Sequence, residues 1–198
     1  MKKLLDIPII WKAVRFLLEF LFGIYSKRIM LIKNSKIIGK NDSFLDIGCG
    51  SGHFSVLTEG KYLGIDLNEK YINDARKKYA DKKFICADVS EVYKEKNKFD
   101  NVLLVDILHH LDDKKSIQLL KSLLNISNKK IINFEPISYK NPNPIDKLWI
   151  QMDRGEYIRD GEKLDKLFAD SGLNVFYSKQ VRIWPFLPIK MTILNRKN

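Results

Sequence analysis

From Ile9 to Ile32, apolar residues recur at helical spacing, at Ile10, Val14, Leu17, Leu18, Leu21, Tyr25 and Ile29, while Lys12, Arg15 and Glu19 form a polar stripe. The pattern predicts one long amphipathic helix, or two helices meeting near Gly23. Residues 1–40 therefore read as an N-terminal segment that packs on the domain or lids its active site. The alternative is an in-plane membrane contact through residues 1–33, with Lys2, Lys3, Lys27, Arg28 and Lys33 as basic flanks. After a turn at Gly39 to Asp42 the rhythm changes. Short apolar runs at Phe44 to Ile47, Tyr62 to Ile65, Phe84 to Ala87, Val102 to Val105 and Ile131 to Phe134 alternate with polar, helix-like stretches. Glu69 to Tyr79 and Lys114 to Leu124 are the clearest helices, with Asn68 and Asp112 or Asp113 as N-caps. Alternation of this kind predicts an α/β fold with a doubly wound, mostly parallel sheet.

Pro136, Pro142 and Pro144 interrupt the alternation, followed by a short helical patch at Ile145 to Met152 and then Asp153-Arg154-Gly155. Residues 136–160 therefore read as an insertion over the active face of a domain spanning 41–198. A last helix opens at Asp160 or Gly161, runs through Phe168 and ends at Gly172. Val175 to Ile183 and Lys190 to Leu194 supply two further strands.

Composition narrows the class without naming a function. A length of 198 residues with 45% hydrophobic and 30% charged positions suits one globular domain. The net charge of +11 favours anionic partners such as nucleic acid or anionic lipid, but the lysines are scattered rather than blocked, as on a general solvated surface. Lys12, Arg15 and Glu19 break the apolar start and no small-residue cleavage site follows, which argues against secretion and against a transmembrane span. Cys49 and Cys86 sit in apparent core segments, with no zinc spacing and no disulfide framework. The expected home is the cytoplasm, with peripheral contact at the inner membrane surface as its variant.

The chemistry begins where the first strand ends. Phe44-Leu45-Asp46-Ile47-Gly48-Cys49-Gly50-Ser51-Gly52 is a strand running into a glycine-rich loop, which presents backbone N–H groups to a ligand at the sheet's carboxyl edge. Its G-x-G-x-G spacing places His53 where a dinucleotide fingerprint wants glycine or alanine, and it lacks the Gly-Lys-Ser/Thr ending of a phosphate-binding P-loop. Asp66 closes the second strand, roughly 20 residues beyond Asp46, where such folds hold a ribose. Asp88 follows the third strand, in place to accept from an adenine amine. Singly, each acid has an ordinary role open to it: loop closure for Asp46, helix or turn capping for Asp66 and Asp88.

Together, Leu45 to Gly52, Gly64-Ile65-Asp66, Ala87-Asp88-Val89, Phe99-Asp100-Asn101-Val102 and Leu108-His109-His110-Leu111 resemble class I S-adenosylmethionine-dependent methyltransferases, in order, from about Ser43 to Glu135. Asp153-Arg154-Gly155-Glu156-Tyr157-Ile158-Arg159 is similar to a small bacterial branch of these enzymes, of unknown substrate. The resemblance implies a Rossmann-like seven-stranded sheet with its last strand antiparallel, and S-adenosylmethionine as cofactor. It implies that Asp46, Gly48, Cys49, Gly50 and Gly52 lie against its methionine part. Asp66 with Leu67 would hold the ribose, Asp88 with Val89 the adenine, and Val105 and Asp106 the methionyl amine.

Methyl transfer from a sulfonium is an in-line displacement that needs alignment, exclusion of water and, for an O–H or N–H acceptor, a base. His110, and after it His109, follow the fourth strand and are the candidate bases; the alternative is that a histidine packs or fixes the loop. Glu135, at the end of the fifth strand, would touch the acceptor or steady the insertion. Tyr139, Arg154, Tyr157 and Arg159 are candidate acceptor contacts, the arginines through their planar fork or else in local ion pairs. No metal ligand set is evident. The expected reaction methylates O or N of a small molecule, glycan or lipid-linked intermediate. An RNA methyltransferase and a catalytically silent cofactor-binding partner are the alternatives.

Overall fold

The structure, a computed structural model, describes residues 17, 19, 21–92, 98–153, 155–183 and 187–197. Seven strands form one sheet: β1 (Phe44–Ile47), β2 (Tyr62–Asp66), β3 (Lys83–Cys86), β4 (Phe99–Val105), β5 (Ser127–Pro136), β6 (Leu173–Arg182) and β7 (Pro188–Arg196). Their spatial order is β3-β2-β1-β4-β5-β7-β6. The first five run parallel, and β7 is antiparallel to both β5 and β6. The predicted fold class is the observed one. Because β1 to β5 share a direction, the loops that follow them gather at one edge, where ligands bind in such sheets.

Burial follows position in the sheet. All four residues of β1 are buried, as expected of a central parallel strand covered on both faces. At the sheet's edges β3 and β6 are largely exposed. Cys86, expected in the core, is therefore exposed at the end of β3, while Cys49 is buried; both are free thiols. One face of the sheet packs against Leu119, Leu120, Leu123, Leu164 and Phe168, and the other against Ile32, Phe54, Ile72 and Ala75.

The helices are α1 (Ile24–Asn34), α2 (Glu69–Lys78), α3 (Val89–Val92), α4 (Asp113–Leu123), α5 (Pro144–Met152) and α6 (Gly161–Asp170). Asn68, Asp112, Asn143 and Asp160 cap α2, α4, α5 and α6, each accepting from a first-turn N–H. At the N-terminal segment the structure selects the two-helix alternative. Gly23 takes φ 59° and ψ 46°, a left-handed conformation that breaks the helix. Glu19, on the preceding turn, reaches across the break to accept from the N–H groups of Tyr25 at 2.6 Å and Ser26 at 3.2 Å. Residues 1–16, including Lys2, Lys3, Lys12 and Arg15, lie outside the described residues. Among the described residues no helix is long and apolar enough to cross a membrane. Arg28, expected as a basic flank, is instead 5% exposed.

The segment 136–160 is fastened to the rest of the fold at two places. Buried Asp146 on α5 receives both terminal nitrogens of Arg182 on β6, each at 2.9 Å, and the Tyr139 hydroxyl. Arg159 donates to the carbonyls of Leu108 and Leu111, both at 2.8 Å, and to Asp113.

Candidate active site

The gathered loops enclose a cavity of about 860 Å³. Its floor is the turn after β1. Gly48 has φ +70°, and a Cβ there would come within 2.2 Å of Ile107 Cδ1, so only glycine lets the loop after β1 close on the loop after β4. Gly50 N donates to Asp66 Oδ2 at 2.9 Å, and the other oxygen of Asp66 accepts from Asn68 N at 2.8 Å. Asp66 thereby braces the glycine loop while lining the cavity. Asp88 lines the cavity from the end of β3, and its bonds from Ser90 hold its carboxyl below the usual carboxylate range. Leu67, 71% exposed, adds an apolar side chain to the cavity lining beside Asp66.

Asp46 and Gly52 sit beneath the cavity rather than on its wall. A Cβ at Gly52 would meet the Phe84 ring at 2.8 Å, so this glycine serves close packing. Asp46 is buried and accepts the Tyr62 hydroxyl at 2.5 Å. Burial pushes its pKa up to about 7, with the nearby Asp66 charge adding to the rise and the Tyr62 bond opposing it. The folded state therefore binds a proton there that the unfolded chain releases near pH 4. The resulting stabilisation is present below that pH and is lost as pH rises through 7, a change of about 4 kcal/mol by linkage. Asp46→Asn removes the titration while keeping an acceptor for Tyr62. The variant gains stability over the parent between pH 5 and pH 8, measurable by urea unfolding; an equal difference at both pH values would contradict this.

At the end of β4, Asp106 adopts φ 56°, uncommon for a residue with a side chain. Its carboxylate is gripped by Arg28 of α1 at 2.6 and 3.0 Å. Arg28 also lines the cavity, and its Nε is buried without a partner among the described residues. Glu135 is buried under the next turn. One of its oxygens accepts from Ile107 N at 3.0 Å and Leu108 N at 2.8 Å; the other takes His109 N at 3.1 Å and His109 Nδ1 at 2.7 Å. Glu135 thus sits behind the cavity wall, holding the histidine turn. The second nitrogen of His109 forms an ion pair with Asp153 at 3.5 Å. Burial alone would lower the His109 pKa, but the bond and charge of Glu135, helped by Asp106 and Asp153, hold it above the ordinary imidazole value. His110 is exposed on the cavity wall, its ring 4.1 Å from that of His109.

Residues 44–129 match the methyltransferase domain family. This stretch of the chain is thus similar to a methyltransferase domain. An uncharacterized protein of Methanocaldococcus jannaschii is 30% identical over 122 residues, 60% of this chain and 52% of that protein. The ubiquinone biosynthesis O-methyltransferase of Pelagibacter ubique is 37% identical over 94 residues, 41% of this chain and 39% of that enzyme. The chain thus spans about half or less of the length of these curated relatives. Among solved structures, the magnesium protoporphyrin IX methyltransferase of Synechocystis PCC 6803 with bound SAH superposes with a TM-score of 0.68 at 17% identity. The match covers 88% of this chain and 83% of that one.

Over the matched residues the cavity brings together Gly48, Cys49, Gly50, Asp66, Leu67, Asp88, Val89, Val105, Asp106, His109 and His110. It does not bring in the expected acceptor contacts. Tyr139 is bound to Asp146, the Tyr157 side chain is exposed away from the cavity, and Arg159 is turned into the protein. Arg154 lies outside the described residues. The remaining wall of the cavity includes Ile24, Tyr25, Trp149, Asp153, Leu187 and Ile189, which motif spacing did not reveal. Arg28 did leave a sequence signal, an arginine three residues after Tyr25 on a helix whose apolar face the periodicity defines.

Proposed function

We propose that this chain is an S-adenosylmethionine-dependent enzyme that methylates an oxygen or nitrogen of a small-molecule or lipid-linked acceptor. The observation that carries this reading is a single cavity joining a glycine turn, two strand-end carboxylates and an apolar wall drawn from α1, α5 and the segment before β7. The residues fit the cofactor. Gly48 and Gly50 leave backbone unobstructed, Asp66 offers its carboxylate to the ribose hydroxyls, and Asp88 offers its own to the adenine amine. Arg28, with a buried N–H lacking a partner among the described residues, is suited to the methionyl carboxylate.

When bound, S-adenosylmethionine supplies an electrophilic methyl group on a sulfonium sulfur. The chain's own contribution is alignment, exclusion of water by α1 and the insertion, and a destination for the acceptor's proton. His110 is the candidate for that proton, being on the wall and exposed. His109 is already engaged at both nitrogens, by Glu135 and Asp153, which suits it to fixing the turn. The Pelagibacter ubique relative, named as an O-methyltransferase, supports an oxygen acceptor. The test is incubation of the protein with methyl-labelled S-adenosylmethionine and cell extract, sorted into lipid, glycan, RNA and small-molecule fractions. Label is expected in the lipid or small-molecule fraction together with S-adenosylhomocysteine. Label confined to RNA would overturn the acceptor class, and cofactor binding without label would overturn turnover.

A further inference from the structure

The chain carries 35 lysines and arginines, yet the described residues lining the cavity include one arginine and no lysine. The arginine's terminal nitrogens and the buried histidine of the wall already face carboxylates, and His110 is the other histidine on the wall. Arg28 grips Asp106 through both terminal nitrogens. His109 is paired with Glu135 behind the wall. Asp66 and Asp88 lie at the nucleoside slot, away from the acceptor side. His109 faces both Glu135 and Asp153 and can offset one of these two carboxylates, so a surplus of negative charge is left on the acceptor side at Asp153.

Asp153 is held by its surroundings rather than left loose. Its backbone N–H donates to Trp149 O at 2.8 Å, ending α5, and its Oδ1 accepts from Gly155 N at 2.6 Å while facing His109 Nε2 at 3.5 Å. Gly155 lies so near His109 that a Cβ there would meet the ring at 2.0 Å, which seats the Asp153 turn against the histidine. Oδ2 accepts no bond from the described residues, and the side chain is 29% exposed and lines the cavity. The remaining acceptor wall is apolar, from Ile24, Tyr25, Trp149, Leu187 and Ile189.

We infer that Asp153 is the specificity residue of the acceptor site: it receives an O–H or N–H of an apolar, neutral or cationic acceptor, and it excludes phosphorylated and other anionic ones. This inference rests on the methyltransferase reading for the role of the cavity, but its recognition chemistry is separable from turnover. A buried-edge carboxylate with a vacant oxygen favours a hydrogen-bond donor, whereas an anion brought beside it meets like-charge repulsion that no free lysine among the described wall residues offsets. The basic surface and the acidic acceptor wall therefore serve different ends. The first concerns the whole protein in solution, and the second decides what enters.

The test uses two fluorescent probes with one skeleton, N-phenyl-naphthylamine, a neutral N–H donor, and its sulfonated counterpart, anilinonaphthalenesulfonate. Each is titrated into the full chain saturated with S-adenosylhomocysteine, so that only the acceptor side is open. The parent is expected to bind the neutral amine at least about tenfold more tightly than the sulfonate, the effect of one unscreened charge. Asp153→Asn should narrow that ratio, and Asp153→Lys should reverse it. Equal or tighter sulfonate binding by the parent would overturn the inference. So would an unchanged ratio in the Asp153→Asn variant, which preserves shape and keeps the test valid should the lysine variant fail to fold. Absence of S-adenosylhomocysteine binding would count against the cofactor reading alone, and the probe ratio measured without it would still decide the role of Asp153.

Discussion

Replacing Glu135 by alanine lowers stability by about 3–5 kcal/mol, the range seen when one partner of a buried, hydrogen-bonded charge pair is removed. The carboxylate accepts from three consecutive backbone N–H groups and from His109 Nδ1. Alanine leaves those buried donors without acceptors and leaves the His109 imidazole facing only Asp153. Since small domains have roughly 5–15 kcal/mol in total, the variant should be soluble only under mild conditions and should unfold at a much lower urea midpoint. Glu135→Gln keeps the shape and one acceptor oxygen, but turns an amide donor toward an N–H donor, so an intermediate loss is expected. An alanine variant within about 1 kcal/mol of the parent would contradict the cradle role. The same substitution frees the turn that carries Ile107, which closes on Gly48, so cofactor affinity should fall alongside stability.

Asp66→Ala should behave differently, with a large change in ligand affinity and a smaller change in folding. Its carboxylate is partly exposed, and of the two backbone donors it braces, Asn68 N is at a half-buried position while Gly50 N lies in the buried turn at the cavity floor. The expected stability cost is therefore about 1–3 kcal/mol. Two charge-assisted bonds to ribose hydroxyls would be lost, each worth about 1.5–3 kcal/mol, so affinity for S-adenosylhomocysteine should weaken at least about 100-fold. Isothermal titration beside urea unfolding of the same preparation separates the two effects. Affinity that survives the substitution would remove Asp66 from the cofactor site, and a collapse of folding would make it a structural residue.

The contrast between these carboxylates shows what a linear sequence carries. Asp66 and Asp88 are legible because each sits at or just past the end of a strand whose apolar run marks its own end, and parallel pairing brings those ends to one edge. The helix caps are legible for the same reason, since the capping side chain acts on backbone two or three residues away. Glu135 also ends a strand, but which way its carboxylate faces depends on the turn after β4, 27 residues earlier in the chain, and no periodicity encodes that. Arg159 and Tyr139 look like anion and acceptor contacts when read locally. Their partners, Asp113 for Arg159 and Asp146 with Arg182 for Tyr139, are set by how the insertion lies on α4 and β6. Trp149, Asp153 and Leu187 were not legible as wall residues, because the segments they come from share only the cavity that they line. Cys86 was misplaced by treating an apolar run as central, when β3 is an edge strand.

One titration bears most directly on the cofactor reading: S-adenosylmethionine and S-adenosylhomocysteine added separately to the folded full chain in a calorimeter, with ATP and NAD as controls. Saturable binding of both sulfur ligands at one per chain is expected, with neither control competing, because the glycine loop lacks the lysine of a P-loop and the third glycine position of a dinucleotide site is His53. No heat from either sulfur ligand, or tighter binding of ATP or NAD in the same cavity, would contradict it.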